Sequence, residues 1–319
     1  MDKINSQSKE LHDFKSFNHQ EFMEQEFPLG SKFTFERSLK HMNMMTSFLV
    51  ELASMMLEKN PLSMANEQLN VIYTLITSYH LRSITLAESF EFVRLDNGKT
   101  IFDDATPKIL FRSLIENYLI FFYLFERNKN NSHLNFLLYE LQSLLHLKKS
   151  VHYTSNRTDA KLKLTPVKVK KMMESKVEQI INHESFHLLD KNFRKEIVKV
   201  QNGSKNYINL FTFEALMRES ELPTELIINE YSDASASVHS QLYGLKASQM
   251  MFEKSMNDNV DIFEKSKFRL MAQCLFLTSQ WVYSFIHTIK LDFEDEFEQH
   301  LGEVISLSVY YRQALLTNK

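Results

Sequence analysis

An all-α fold is what this sequence predicts, and three observations carry the prediction. Apolar residues recur at three- and four-residue steps along most of the 319-residue chain, the spacing of one face of an α-helix. Only 5 Gly and 5 Pro are present, which leaves few turns for a meander of strands. No stretch of any length shows strand-like alternation. With 15 Met and 26 Phe, the packing material suits helix-on-helix interfaces. The expected architecture is a bundle of about eight to nine helices with no significant sheet.

The elements follow in order. Residues 1–30 read as a polar arm ending at Pro28 and Gly30. Phe35, Leu39, Met42, Met45, Leu49, Leu52 and Met56 mark a long amphipathic helix that Asn60-Pro61 stops. A second helix spans about 66–94, with Leu69, Ile72, Ile76, Tyr79, Leu86, Phe90 and Val93 inward, and Asp96-Asn97-Gly98 is a turn. Thr106-Pro107 starts a third. A threonine hydroxyl caps free amides there, and proline suits the first helical position because its missing N–H has no partner to lose.

That third helix carries Arg112, Glu116 and Asn117 to about Glu126. After the polar break at 127–132, a fourth helix reaches about Lys148. Thr165-Pro166 repeats the start signal for a fifth, basic at first (Lys168, Lys170, Lys171) and continuing through Val177, Ile180 and Ile181 towards Leu189. The lysines read as a solvated face. Asn202-Gly203-Ser204 is a loop, and a short helix covers 213–218. Pro223-Thr224 opens a helix over 224–242 that reads as the centre of the chain. Helices near 260–290 and 293–316 close it. The expected organisation is an arm (1–30), a helical core domain (31–252) and a C-terminal helical pair packed on that core (253–319).

Composition bounds the function classes. Hydrophobic residues at 44% and charged residues at 24% are ordinary for a globular protein. A net charge of −3 gives no whole-chain electrostatic case for nucleic acid, while leaving room for a local basic surface. The single cysteine, Cys274, excludes an intrachain disulfide, fits a reducing cytoplasm and reads as a small buried apolar residue. No apolar core follows the N-terminus, so no secretory signal is expected. The most apolar run, 118–125, is far short of the roughly 20 residues that span a bilayer. A cytoplasmic protein with no membrane partner is the expectation.

Residues with chemistry gather in two helices. Tyr231, Ser235 and His239 stand at successive four-residue steps, on one helix face, among the small residues of 232–237. Arg112 sits in a helix too apolar to leave a guanidinium idle, and Glu116 one turn away is the nearest carboxylate. The expected polar centre is Arg112, Glu116, Tyr231, Ser235 and His239, acting either as a network that fixes helix register or as a reactive site.

These two patterns, Arg-x3-Glu-Asn within RSLIENYLIFFYLF and Tyr-x3-Ser-x3-His, resemble an uncharacterised bacterial all-helical family, a domain of unknown function. The segment 212–216 is similar to that family's T-F-E-x-L stretch, although the tryptophan expected near it is absent. The resemblance spans about residues 35–245. It implies an all-helical fold and no established activity.

Three functional expectations follow. The run from Arg127 to His133, with Asn128 after the arginine, resembles the Arg-x4-6-His motif of HEPN-type ribonucleases, compact helical toxins and phage-defence effectors that dimerise. That resemblance implies metal-independent RNA cleavage, with Arg127 stabilising phosphorane charge and His133 moving protons, and with RNA or a protein as partner. The second expectation is a zinc peptidase. His183-Glu184-Ser185-Phe186-His187 is a literal H-E-x-x-H, similar to that of thermolysin, with both imidazoles on one helix face, Glu184 as general base and Glu230 as third ligand. The third is a helical scaffold that binds a partner and does no chemistry.

Overall fold

The computed structural model describes residues 17–28, 34–90, 93–94, 100–101, 105–154, 165–220, 222–238, 249, 260–289 and 295–317. Eleven α-helices lie among them, a few more than expected, and the fold is all-α. They are α1 (His19–Glu26), α2 (Phe35–Lys59), α3 (Asn66–Glu88), α4 (Ala105–Phe121), α5 (Ser132–Thr154) and α6 (Pro166–Ile181). Then come α7 (Lys191–Gln201), α8 (Phe213–Glu219), α9 (Asn229–Val238), α10 (Val260–Ile289) and α11 (Asp295–Thr317). The one extended pairing among the described residues is short: Val93–Arg94 runs antiparallel to Thr100–Ile101, with Val93 opposite Ile101. The expected turn at 96–98 lies outside the described residues. No described helix is long and apolar enough to cross a membrane.

The chain divides into two compact units, residues 1–119 with 221–319, and residues 120–220.

In the first unit α10 is the central element. Every residue from Leu270 to Ile286 is buried, because a helix apolar on all sides is stable only in an interior. It packs on α11 and α2, and α2 packs on α3. Trp281 sits at the middle, with Tyr79 edge-on at 4.6 Å and Tyr118 at 6.0 Å between ring centres. Two hydroxyls of α10 tie it to its neighbours: Thr278 shares a 2.8 Å hydrogen bond with the Tyr79 hydroxyl, and Ser279 donates to Ser308 on α11 at 2.8 Å.

The described part of the expected arm, residues 17–28, is docked on the first unit. Phe17 fills the notch over Gly302, where a Cβ would drive into the ring. His19 Nδ1 shares a hydrogen bond with the Ser306 hydroxyl at 2.7 Å, and Phe27 stacks on Tyr310 at 3.7 Å. Buried His41 closes the latch. Its Nε2–H donates to Glu26 at 2.9 Å, its Nδ1 accepts from the Tyr311 hydroxyl at 2.7 Å, and Lys40 also reaches Glu26 at 2.7 Å. Burial pulls the His41 pKa down, against the pull of Glu26. Burial pushes the Glu26 carboxyl up, but the hydrogen bonds and charges of Lys40 and His41 outweigh it and hold the pKa low.

The second unit is built on an antiparallel hairpin of α5 and α6. Its direction is fixed by two contacts, His133 beside His183 and Glu140 paired with Lys176 at 2.6 Å. Leu137, Leu141 and Leu145 pack on Val169, Met173, Val177 and Ile180, with Ile197 of α7 completing the core. Thr165 and Pro166 start α6 as expected, the threonine hydroxyl accepting from Lys168 N.

The expected continuation of that helix to Leu189 is broken. α6 ends at Ile181, Glu184–Leu188 form a 3₁₀ turn capped by His183, and Asp190 then caps α7 by accepting from the amides of Asn192 and Phe193. Side chains that accept from nearby amides compete with the helix for the same donors, and here two do so within eight residues. α4 leads into a π-helical turn, Phe122–Glu126, closed by Arg127 N donating to Phe122 O at 2.8 Å.

Acid should release the docked arm. Both latch groups have folded pKa values below their ordinary ones, so their stabilisation is complete above pH 6.5 for His41 and 4.5 for Glu26. It is lost as pH falls from those values through the folded ones. Limited proteolysis read by mass spectrometry should cut around residues 17–28 faster at pH 4 than at pH 7. Gly302→Ala should produce the same cutting at pH 7. Equal cutting of the unmodified chain at both pH values would refute the latch.

Candidate functional site

The polar centre of the first unit forms where α4 meets α9. Arg112 Nε donates to Glu116 Oε1 at 2.9 Å, and the Tyr231 hydroxyl donates to the same oxygen at 3.1 Å. The guanidinium carbon stands 5.0 Å from the Tyr231 ring centre, within cation–π range. The side chains of Arg112 and Glu116 keep 19% and 26% of their exposure, so water still reaches the group.

Burial works against the Arg112 charge, but the hydrogen bond to Glu116 and the neighbouring Tyr231 and Glu116 charges prevail and raise its pKa. Burial, then the Glu116 charge, push the Tyr231 phenol up to about 12. Neither group titrates near neutrality, so this pair holds a geometry rather than moving protons. Arg112 Nη1 is buried with no hydrogen-bond partner among the described residues.

Three of the five expected members thus come together. Ser235 lies half-buried one turn beyond Tyr231, without a hydrogen bond to the group among the described residues. His239 lies outside the described residues. The helix expected over 224–242 opens instead with a π-helical turn, Thr224–Ile228, and continues as α9 to Val238.

Sequence reasoning missed Arg82. Its Nη1 donates to Asn117 Oδ1 at 2.8 Å and to Ser113 O at 3.3 Å, while Asn117 Nδ2 donates to Leu75 O at 3.3 Å. Asn117 therefore ties α4 to α3. An arginine next to the buried Tyr79–Ser83 face of α3 was the available signal.

The metal constellation does not assemble as expected. His183 precedes a 3₁₀ turn instead of sitting in an α-helix with His187, and four residues of 3₁₀ geometry carry side chains about 120° apart. The ring tautomers also oppose each other. His183 Nδ1 accepts from Ser185 N at 3.1 Å, which leaves its proton on Nε2. His187 Nδ1 donates to Glu184 O at 2.6 Å, which leaves Nε2 as a free lone pair. Glu230 is paired with Arg269 at 3.3 Å. Among the described residues no three His, Cys, Asp or Glu are grouped to hold a metal ion.

The remaining sequence candidates lie in the second unit. Arg127 forks onto Glu219, Nε to Oε2 at 2.6 Å and Nη2 to Oε1 at 3.0 Å, and stands 5.9 Å from the Tyr123 ring centre. His133 is exposed in the first turn of α5. Its ring centre lies 5.4 Å from that of His183, with 31° between the planes. Burial, then the charge of His133, lower the His183 pKa against the pull of Glu184. Two histidines read as parts of different motifs are in fact neighbours. No local sequence signal announces this, since it depends on α6 stopping where it does beside the start of α5.

The fold and its constellations define an all-α protein of two compact units. Against protein-family models, curated proteins and solved structures, the chain finds no match. The family resemblance therefore rests on its own residues.

Tyr231→Phe should cost about 1 kcal/mol, one hydrogen bond between partly solvated groups. Glu116→Ala should cost about 2 kcal/mol, because the guanidinium loses its carboxylate yet keeps some water. Thermal unfolding followed through Trp281, the sole tryptophan, measures both. Unchanged melting temperatures would show that the group ties nothing together. EDTA should leave the wild-type melting temperature where it is, and a fall of several degrees would restore the zinc reading.

Proposed function

We propose that this chain is a metal-independent RNA-cleaving effector of the toxin or defence kind, with residues 120–220 as the unit that handles RNA. The observation that carries the reading is the contact between His133 and His183. The lowered pKa of His183 favours its neutral form at pH 7, and its Nε2–H is then a fixed donor for a non-bridging phosphate oxygen. Exposed His133 takes the proton of a 2′-hydroxyl as that oxygen attacks phosphorus. The bond from phosphorus to O5′ breaks, and the imidazolium returns the proton to O5′. The products are a 2′,3′-cyclic phosphate and a 5′-hydroxyl.

Arg127 balances the charge that develops on the phosphorane. Its partner Glu219 is exposed, as Arg127 itself is (40% and 37%), so the pair is worth about 0–1 kcal/mol and yields readily to a phosphate. Charge distribution also favours the reading. Residues 120–220 carry 17 Lys and Arg against 10 Asp and Glu, a formal +7, and the rest of the chain carries −10. The whole-chain value of −3 conceals a basic unit.

A second reading, a partner-binding scaffold without chemistry, is favoured by the Arg112–Glu116–Tyr231 group, whose members bond to one another. Incubation of purified chain with single-stranded RNA in EDTA separates the two. Cleavage should leave cyclic phosphate ends, and His133→Ala should slow it by about a hundredfold or more at unchanged melting temperature. Intact RNA, or full activity in His133→Ala, would leave the scaffold reading in possession.

A further inference from the structure

We infer that the end of the second unit farthest from the imidazole pair is a docking surface for single-stranded RNA, with Tyr207 as its stacking platform. Tyr207 lies between α7 and α8 and is 57% exposed, an unusual state for a ring held by fixed neighbours. The residues on both sides are tethered to α5, one through its side chain and one through its backbone. Lys148 Nζ donates to Asn206 Oδ1 at 3.1 Å, and Gln142 Nε2 donates to the carbonyl of buried Ile208 at 3.4 Å. The phenol ring is thus held out to solvent between two ammonium groups, Lys205 at 4.9 Å and Lys149 at 5.8 Å from its centre.

More positive charge gathers at the same end. The antiparallel hairpin joins His133 to His183 at one end and Glu140 to Lys176 midway. The last turns of α5, with Lys148 and Lys149, must then lie beside the first turns of α6, with exposed Lys168, Lys170 and Lys171. Glu196 pairs with Lys205 at 2.6 Å, and Glu174 stands 3.7 Å from Lys170. Lys148, Lys149, Lys168 and Lys171 have no carboxylate partner among the described residues.

An exposed aromatic ring set among lysines is how proteins hold unpaired bases without regard to sequence. The ring stacks on any base, and the ammonium groups follow the phosphates. A stacked base holds the ring more strongly than an exposed ammonium does, so it displaces one lysine from Tyr207. That lysine then meets the adjoining phosphate. An acidic protein segment would use the lysines but gain nothing from the ring. Along α5, Lys149 lies about 24 Å from His133 at 1.5 Å per residue, so a strand followed along the hairpin leads from the platform to the imidazoles. The choice of RNA rests on the 2′-hydroxyl chemistry proposed above.

The test is fluorescence anisotropy of the full chain with a labelled single-stranded dodecamer of uridines. Its sugars carry 2′-O-methyl groups, which remove the nucleophile, so binding is read without cleavage. Tyr207→Ala should weaken binding about tenfold, and Tyr207→Phe should stay within about twofold of wild type. Lys149→Gln and Lys168→Gln should each reduce the slope of log affinity against log salt by about 0.7. Melting temperatures verify that these surface variants fold. Unchanged affinity in Tyr207→Ala would overturn the surface, as would heparin, polyglutamate or duplex RNA competing as well as the single strand. Binding of this probe without cleavage of ordinary RNA would keep the surface and remove the catalytic reading. Cleavage that ignores Tyr207 would do the reverse.

Discussion

The first unit depends on burying α10 from every side. A helix with Trp281, Phe276, Phe285 and a run of leucines around its whole circumference has no face to give to water, so other helices must surround it. The same helix carries Gln273, Thr278, Ser279 and Ser284 into that interior. A buried hydroxyl or amide that finds a partner contributes about 1 kcal/mol net, whereas one left unmet costs about 1–3 kcal/mol. The arrangement is therefore selective as well as stable. Tyr79 must meet Thr278, Tyr118 must meet Ser284, and Ser308 must meet Ser279. A helix rotated about its axis would keep its apolar contacts and lose all three.

The polar centre belongs to that scaffold more than to any reaction. Arg112, Glu116 and Tyr231 join two segments 115 residues apart in sequence, and Arg82 with Asn117 fixes the neighbouring helix pair. Their protonation states are set far from neutrality in the cases of Arg112 and Tyr231. The second unit has the opposite character. Its imidazole pair includes the exposed His133, and its charge is strongly positive. Architecture and candidate chemistry are thus assigned to different units.

Much of the fold was legible because helical periodicity is local. The spans of α2, α10 and α11 match the expected ones within a few residues, and the Thr165-Pro166 start is present atom for atom as a cap. The failures have local causes too. α1 was missed because a polar eight-residue helix has little periodicity, and its stability comes from Phe17, Phe27 and Glu26 meeting α2 and α11. α7 was missed because the apolar spacing runs on past Ile181, while the His183 and Asp190 side chains take amides that a continuous helix would need.

By itself the sequence determined the helical class, most element boundaries and the Arg112–Glu116 pair, since each is settled within one or two turns of chain. That Tyr231 of the expected members reaches that pair and Ser235 does not, that His183 neighbours His133, and that Lys149 flanks the Tyr207 ring were decided only by the tertiary structure. Those contacts join residues from different helices and loops. Which of them form depends on how long each helix runs before a cap stops it and on which faces pack, and neither is written at the positions that finally touch.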